Sequence, residues 1–144
     1  MKVTRGHQHL SNVQKNTVVT IGNFDGVHLG HQKIIELALK LARARGGEAV
    51  AYTFRPHPQV ALRPDAYIQL LSTYDEKLEL LEALGLDQVV EEPFSREFST
   101  IEPLRFFLDI ILRKLNAREV VVGYDFAFGK GRTGHLDVLT AFCK

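Results

Sequence analysis

A chain of 144 residues supplies one domain's worth of sequence, enough to bury a core without disulfides or metal staples. Its 18 basic and 17 acidic residues nearly cancel, so overall charge draws it neither to nucleic acid nor to an anionic membrane, and any phosphate binding has to be local. Cys143 is the one cysteine, no apolar run approaches the ~20 residues of a membrane span, and the polar stretch Met1 to Asn16 has no signal core, which together predict a cytoplasmic protein.

Short β-rich runs alternate with longer helical patterns, and that alternation predicts a doubly wound α/β fold with a parallel sheet. The first strand is predicted over Thr17 to Ile21 and runs straight into Gly22-Asn23-Phe24-Asp25-Gly26-Val27-His28-Leu29-Gly30-His31. A strand-to-helix loop in this position aims backbone N–H groups and a helix dipole at the crevice where open parallel sheets bind ligands. Its glycines let the backbone approach an anion closely, and two imidazoles three residues apart reach to the same side. Donors of that kind suit nucleotidyl transfer, in which negative charge grows on an α-phosphate as pyrophosphate leaves. A plain polar cap or half of a metal site are the alternatives, although no cysteine stands nearby to complete a zinc site. Neither a P-loop nor a Rossmann fingerprint fits, because no Lys-Ser or Lys-Thr follows Gly30 and the glycine interval is wrong for GxGxxG.

A crossover helix is predicted next from Ile34, Leu37, Ala38 and Leu41, stopped by Gly46-Gly47. A second strand over Glu48 to Phe54 runs out into Thr53-Phe54-Arg55-Pro56-His57-Pro58, where two prolines hold a histidine at low entropy cost beside the first site. A rigid turn is the alternative there. Arg55 to Leu71 is a long, Pro-punctuated connection of the kind that is more often functional than idle. Thr73 and Glu76 read as a capping box for a helix carrying Leu78, Leu81 and Leu84 and ending at Gly85, followed by a strand over Asp87 to Glu91. Ser99 and Glu102 read as a second box, with Pro103 in the first turn and a stripe of Leu104, Phe107, Leu108, Ile111, Leu112 and Leu115. A last strand over Arg118 to Gly123 opens into Gly123-Tyr124-Asp125-Phe126-Ala127-Phe128-Gly129-Lys130-Gly131-Arg132-Thr133-Gly134, a string offering aromatic faces and cations or else an ordinary mobile loop. Leu136, Leu139 and Phe142 then start a further helical pattern.

The three strings together resemble the FMN adenylyltransferase module of bacterial bifunctional riboflavin kinase/FMN adenylyltransferases, departing at Ala127, where relatives often carry arginine. The resemblance implies an HxGH nucleotidyltransferase that transfers AMP from ATP to FMN, giving FAD and pyrophosphate. It implies that His28 and His31 contact the ATP phosphates, and that Gly22, Asn23, Phe24, Asp25, Gly30 and Asp125 line the ATP site. Phe54, His57, Pro58, Phe128 and Arg132 would hold the flavin nucleotide. Mg²⁺ would arrive with ATP, with Asp25 and Asp125 as its nominated oxygens. The family's second signature, similar to Ile-Ser-Ser-Thr-x-Ile-Arg, occurs nowhere between Met1 and Lys144. Residues 1–144 are therefore expected to form an adenylyltransferase domain incomplete at its C-terminal end, feeble in FAD synthesis, with the riboflavin kinase domain a later part of the complete protein. Another HxGH adenylyl- or cytidylyltransferase, or a non-catalytic nucleotide-binding fragment, are the alternatives.

Overall fold

The computed structural model of the chain describes residues 1–10, 16–63, 65 and 67–123, together with the backbone of 127–128 and 134–135. In chain order the main elements are strand β1 (Lys2–Thr4), β2 (Thr17–Ile21), helix α1 (Leu29–Ala44), β3 (Ala49–Phe54), α2 (Pro58–Leu62), α3 (Tyr74–Ala83), β4 (Gln88–Glu92), α4 (Pro103–Arg105) running on as a π-helix (Phe106–Lys114), and β5 (Ala117–Val121). Beyond β5, β6 (Ala127–Phe128) pairs antiparallel with β7 (Gly134–His135).

β1 to β5 form one sheet in the order β1-β4-β3-β2-β5, every pair parallel. Parallel strands need helical crossovers, and the side chains show which face each helix takes. Alternate residues of a strand point to opposite faces. Val18, Ala49, Ala51 and Val89 pack against Ile35, Ala38 and Ala42 of α1 and Leu81 of α3. Their neighbours Val19, Ile21, Val50, Tyr52 and Val90 pack against Phe106, Phe107, Ile110 and Ile111 of the π-helix. The sheet is thus covered on both faces, and the doubly wound α/β class is the one observed.

The path moves outward from β2 through β3 to β4, then returns to lay β5 on the other side of β2. That reversal creates the crevice at which doubly wound sheets bind ligands, outside the carboxyl ends of β2 and β5. Thr20 pairs with Val121, so Gly22 and Gly123, each two residues further on, leave the sheet side by side. The first and third strings, about a hundred residues apart in sequence, begin at the same place.

Three expectations are corrected. β1 is a strand the sequence pattern does not reveal: it has three residues, lies at the sheet edge, and buries only Thr4. The Thr73/Glu76 capping box forms in both directions, but Ser99 and Glu102 make no such box. Ser99 lies in a 3-10 turn over Phe98–Thr100, and Glu102 is the N-cap of α4 without a side-chain capping hydrogen bond, leaving Pro103 as the N-terminal signal that operates. Leu104 and Leu112, assigned to the buried stripe, are 46% and 36% exposed. The wider π turn, closed by the Leu115 N–H donating to the Ile110 carbonyl at 3.0 Å, turns Phe106 and Ile110 inward in their place. The helical pattern from Leu136 to Phe142 lies outside the described residues.

Candidate active site at the carboxyl ends of β2 and β3

Between β2 and α1 the backbone enters the left-handed region three times in four residues: Phe24 at φ 52°, Gly26 at 76° and Val27 at 44°. For Phe and above all for β-branched Val such angles cost free energy, and strain of this kind gathers at ligand sites because something else must hold it. Here the holding groups are visible. Phe24 and Val27 are 2% and 3% exposed, so their side chains anchor the loop in the core. The Asp25 carboxylate accepts the Leu71 N–H at 3.0 and 2.9 Å and the Ser72 N–H at 3.2 Å, while the Gly26 N–H donates to Ser72 Oγ at 3.1 Å. A Cβ on Gly26 would lie 2.9 Å from Leu71 Cβ, so the two segments close on each other without room for a side chain. The far end of the long Arg55 to Leu71 connection is therefore the clamp on the loop.

His28 is the N-cap of α1, its Nδ1 accepting the His31 N–H at 3.3 Å. With Nδ1 accepting, the neutral ring carries its proton on Nε2, which leaves a donor at the other end. The two imidazoles stack with centroids 3.5 Å apart and an interplanar angle of 20°. Gly30 makes that possible, because a Cβ there would stand 3.0 Å from His28 Cε1. The edge of Phe24 meets His31 at 5.3 Å and 81°, and Gly22 gives the Phe24 ring its space, since a Cβ would come within 3.2 Å of it. Gly22 and Gly30 thus each seat an aromatic ring, while Gly26 makes room for Leu71. The pair sits at the positive end of the 16-residue α1, a place suited to an anion.

A small cleft beside this loop is lined by Asn23, Asp25, His57, Leu70, Ser72, Thr73, Tyr74 and Lys77. It joins the first string to the second, since His57 caps α2 with its Nδ1 accepting the Gln59 N–H at 3.1 Å and its own N–H donating to the Tyr74 hydroxyl at 2.9 Å. Pro58 is the first residue of α2. Phe54 does not line this cleft: its ring lies 5.5 Å from Phe94, 5.8 Å from Tyr52 and 6.2 Å from Phe98, half-buried in an aromatic cluster against the π-helix. Of the residues assigned to the flavin, His57 lines the cleft and Phe54 does not. Asp125, Arg132 and the side chain of Phe128 lie outside the described residues.

Lys77 was not singled out from the sequence, yet it is 4% exposed at the floor of this cleft. Its ammonium donates to Thr53 Oγ1 at 2.9 Å, the Asn23 carbonyl at 3.2 Å and the Phe54 carbonyl at 3.3 Å. Burial lowers its pKa to about 8, against the opposing pull of the Glu91 and Asp25 carboxylates and with the help of the Arg55 charge. Glu91, 1% exposed at the end of β4, faces Arg5 at 2.8 Å and Arg55 at 3.7 Å. Its neighbour Glu92 points to the other face, where it accepts from the Tyr52 hydroxyl and meets His7 Nδ1 at 2.6 Å. Burial pushes Glu92 upward, but the His7 and Tyr52 hydrogen bonds outweigh it and hold its carboxyl below the usual range.

A profile of the family described as FAD synthetase matches residues 10–144. The chain is 33% identical over 139 residues to the "Bifunctional riboflavin kinase/FMN adenylyltransferase" of Buchnera aphidicola subsp. Schizaphis graminum, covering 96% of this chain and 45% of that protein. It is 38% identical over 128 residues to the "FAD synthetase" of Listeria monocytogenes, covering 88% and 51%. The corresponding figures for the bifunctional protein of Escherichia coli K12 are 36% identity over 135 residues, 93% and 43%. The chain spans about half the length of these curated relatives. Its fold also matches, with TM-score 0.85 and 26% identity over 99% of this chain and 47% of the other, a crystal structure described as a macrolide-efflux protein from Streptococcus pneumoniae. Among the described residues no helix is long and apolar enough to cross a membrane. A strained loop clamped at the reversal point of a doubly wound sheet, a stacked HxGH pair at a helix start and a family match over nearly all its length agree: the chain belongs to the FAD synthetase family.

Proposed function

We propose that the chain carries the FMN adenylyltransferase reaction. A phosphate oxygen of FMN attacks the α-phosphorus of ATP, the bond from that phosphorus to the β-phosphate bridging oxygen breaks, and FAD and pyrophosphate leave. The observation that carries this reading is the His28–His31 stack at the amino end of α1, beside the crevice between β2 and β5. His28, with its Nε2–H, and His31 stabilise charge on the triphosphate, and the β2–α1 loop holds the nucleotide close to both. Catalysis of this type rests on positioning and fixed donors, with no covalent enzyme intermediate.

The chemistry of Asp25 fits the Mg²⁺ that accompanies ATP. Its carboxylate is oriented by the Leu71 and Ser72 amides and has further lone pairs for a hydrated cation. Mg²⁺ on the triphosphate neutralises charge on the departing pyrophosphate. His57, which lines the cleft together with Asn23 and Asp25 of the loop, supports placement of FMN on the β3 side, with Asp125, Phe128 and Arg132 contributing from the third string. A riboflavin kinase module beside this domain in the complete protein, and a cytoplasmic location, belong to the same reading.

The test is FAD formation from FMN and MgATP, followed by chromatography, alongside quenching of FMN fluorescence on mixing. Turnover with FMN supports the reading. Adenylyl transfer to another acceptor with no response to FMN overturns it in favour of a different HxGH transferase, and nucleotide binding without turnover indicates a binding module.

A further inference from the structure

Lys77 is an unusual residue to find at the floor of this cleft. A lysine 4% exposed has given up its hydration, and burial of a charge is tolerated only when hydrogen bonds replace the water. Its three acceptors come from two separate segments, one a loop and one the end of a strand. The Asn23 carbonyl belongs to the β2–α1 loop that leads to the histidines, whereas Thr53 Oγ1 and the Phe54 carbonyl belong to the end of β3, four and three residues before His57. Thr53 Oγ1 itself donates to the Asn23 carbonyl at 3.1 Å, so the three groups close a ring around the ammonium. Tyr74, one turn earlier on α3, has Lys77 Nζ 5.5 Å from its ring centroid and Arg55 4.9 Å from it, and its hydroxyl accepts the His57 N–H.

We propose that Lys77 is a positioning residue: its buried ammonium fixes the distance between the histidine-bearing loop and the His57 loop, and so between the two substrates. The inference rests on the function proposed above. An ordinary helix lysine needs neither loop, and an ordinary loop-to-loop contact in a core needs no charge. The placement here joins the two strings that bear the site. β2 and β3 are paired up to Ile21 and Tyr52, and β3 stays paired with β4 up to Phe54, so the sheet fixes the acceptors on β3 but not the histidine-bearing loop that Asn23 begins nor the chain from Arg55 to His57. Lys77 acts on that remaining freedom. Misplacement by about an ångström is enough to cost roughly a hundredfold in a reaction that depends on alignment, while each substrate alone keeps its own contacts.

The experiment compares the wild-type chain with Lys77→Met, which keeps the aliphatic stem, and Thr53→Val, which removes one acceptor and leaves the lysine in place. Two quantities are read: kcat and KM for FMN and MgATP, and amide hydrogen exchange at Gly26, Val27 and His57 against amides of β2 and β3. The expected result for Lys77→Met is a kcat lower by about tenfold to a hundredfold with each KM within about threefold. Exchange at the loop amides should rise by about tenfold or more while the strand amides are unchanged, with Thr53→Val shifted the same way by less. An unchanged kcat per folded molecule, or exchange raised evenly across loops and strands, overturns the proposal and leaves Lys77 a structural residue. If the wild-type chain forms no FAD, the functional reading fails separately, and the exchange comparison alone then decides whether Lys77 holds the loops.

Discussion

His28 lies flat against His31, ring over ring at 3.5 Å, with the amide of the second bonded to the first. The arrangement makes the two rings unequal: His28 is exposed at the helix cap, and His31 is half-buried against Phe24. Replacing His31 by Ala should lower adenylyl transfer by about 10²–10³, the cost of one well-aimed donor. Loss of the contact with Phe24 should lower stability only modestly. Rate and thermal melting measured together check this, and an unchanged rate would remove His31 from the chemistry.

Asp25 has a use that does not depend on a metal. Its carboxylate accepts from Leu71 and Ser72, so Asp25→Ala leaves two backbone donors without their acceptor and should cost about 1–3 kcal/mol of stability. Urea unfolding in the presence of EDTA checks it. If Asp25 served only Mg²⁺, the loss would appear with MgATP and vanish in EDTA; the clamp geometry predicts that it persists.

Phe54 and His57 were assigned to one ligand, but the fold gives them different work. Phe54→Ala should destabilise by about 2 kcal/mol or more through loss of the cluster with Tyr52, Phe94 and Phe98. His57→Ala, on the cleft wall, should weaken FMN more than ATP with a smaller loss of stability. Equal effects of His57→Ala on both nucleotides in separate titrations would show that the flavin side has been misplaced.

Lys77 also makes a prediction about pH. Its folded pKa, about 8, lies below the ordinary lysine value of 10.5, so from pH 8 to 10.5 the unfolded chain binds more protons than the folded one. The sign follows: the penalty for holding the ammonium is complete below pH 8 and is relieved as pH rises toward the unfolded value. Relative to Lys77→Met, the wild-type chain should therefore gain about 1 kcal/mol of stability between pH 7 and pH 9. Denaturant melts of both proteins at the two pH values give the difference directly, and a constant gap would mean that Lys77 titrates as an exposed lysine does.

The sequence showed the parts of this protein whose causes are local. The capping box of α3, the glycine stop after α1 and the strands β2 to β5 depend on neighbours a few residues away, and all are present. Gly46 takes φ 64°, and Gly47 could carry no side chain, because a Cβ would collide with the Asn16 carbonyl at 1.8 Å. The histidine string was legible for the same reason. What stayed hidden depends on distant partners. Lys77 sits among Asp75, Glu76 and Glu79 and reads as one more solvated charge; the available signal was its position four residues before Leu81, on the buried side of α3. The surroundings of Phe54, assigned to the flavin by resemblance, were equally hidden, because alternation along β3 sends its ring to the opposite face from Thr53. β1 is too short to show a period, and the π-helix keeps a helical pattern while changing which residues face inward.

The reversal of the sheet also sets an order of assembly during synthesis. β2 is made early, yet one of its two neighbours is β5, and Val18 must wait for Glu119 to emerge from the ribosome before that edge is paired. Until then the histidine loop has the β3 side of its crevice and lacks the other. A nascent chain paused before β5 would present the loop with an open strand edge beside it, so the crevice between β2 and β5 is among the last features of the five-stranded sheet to form.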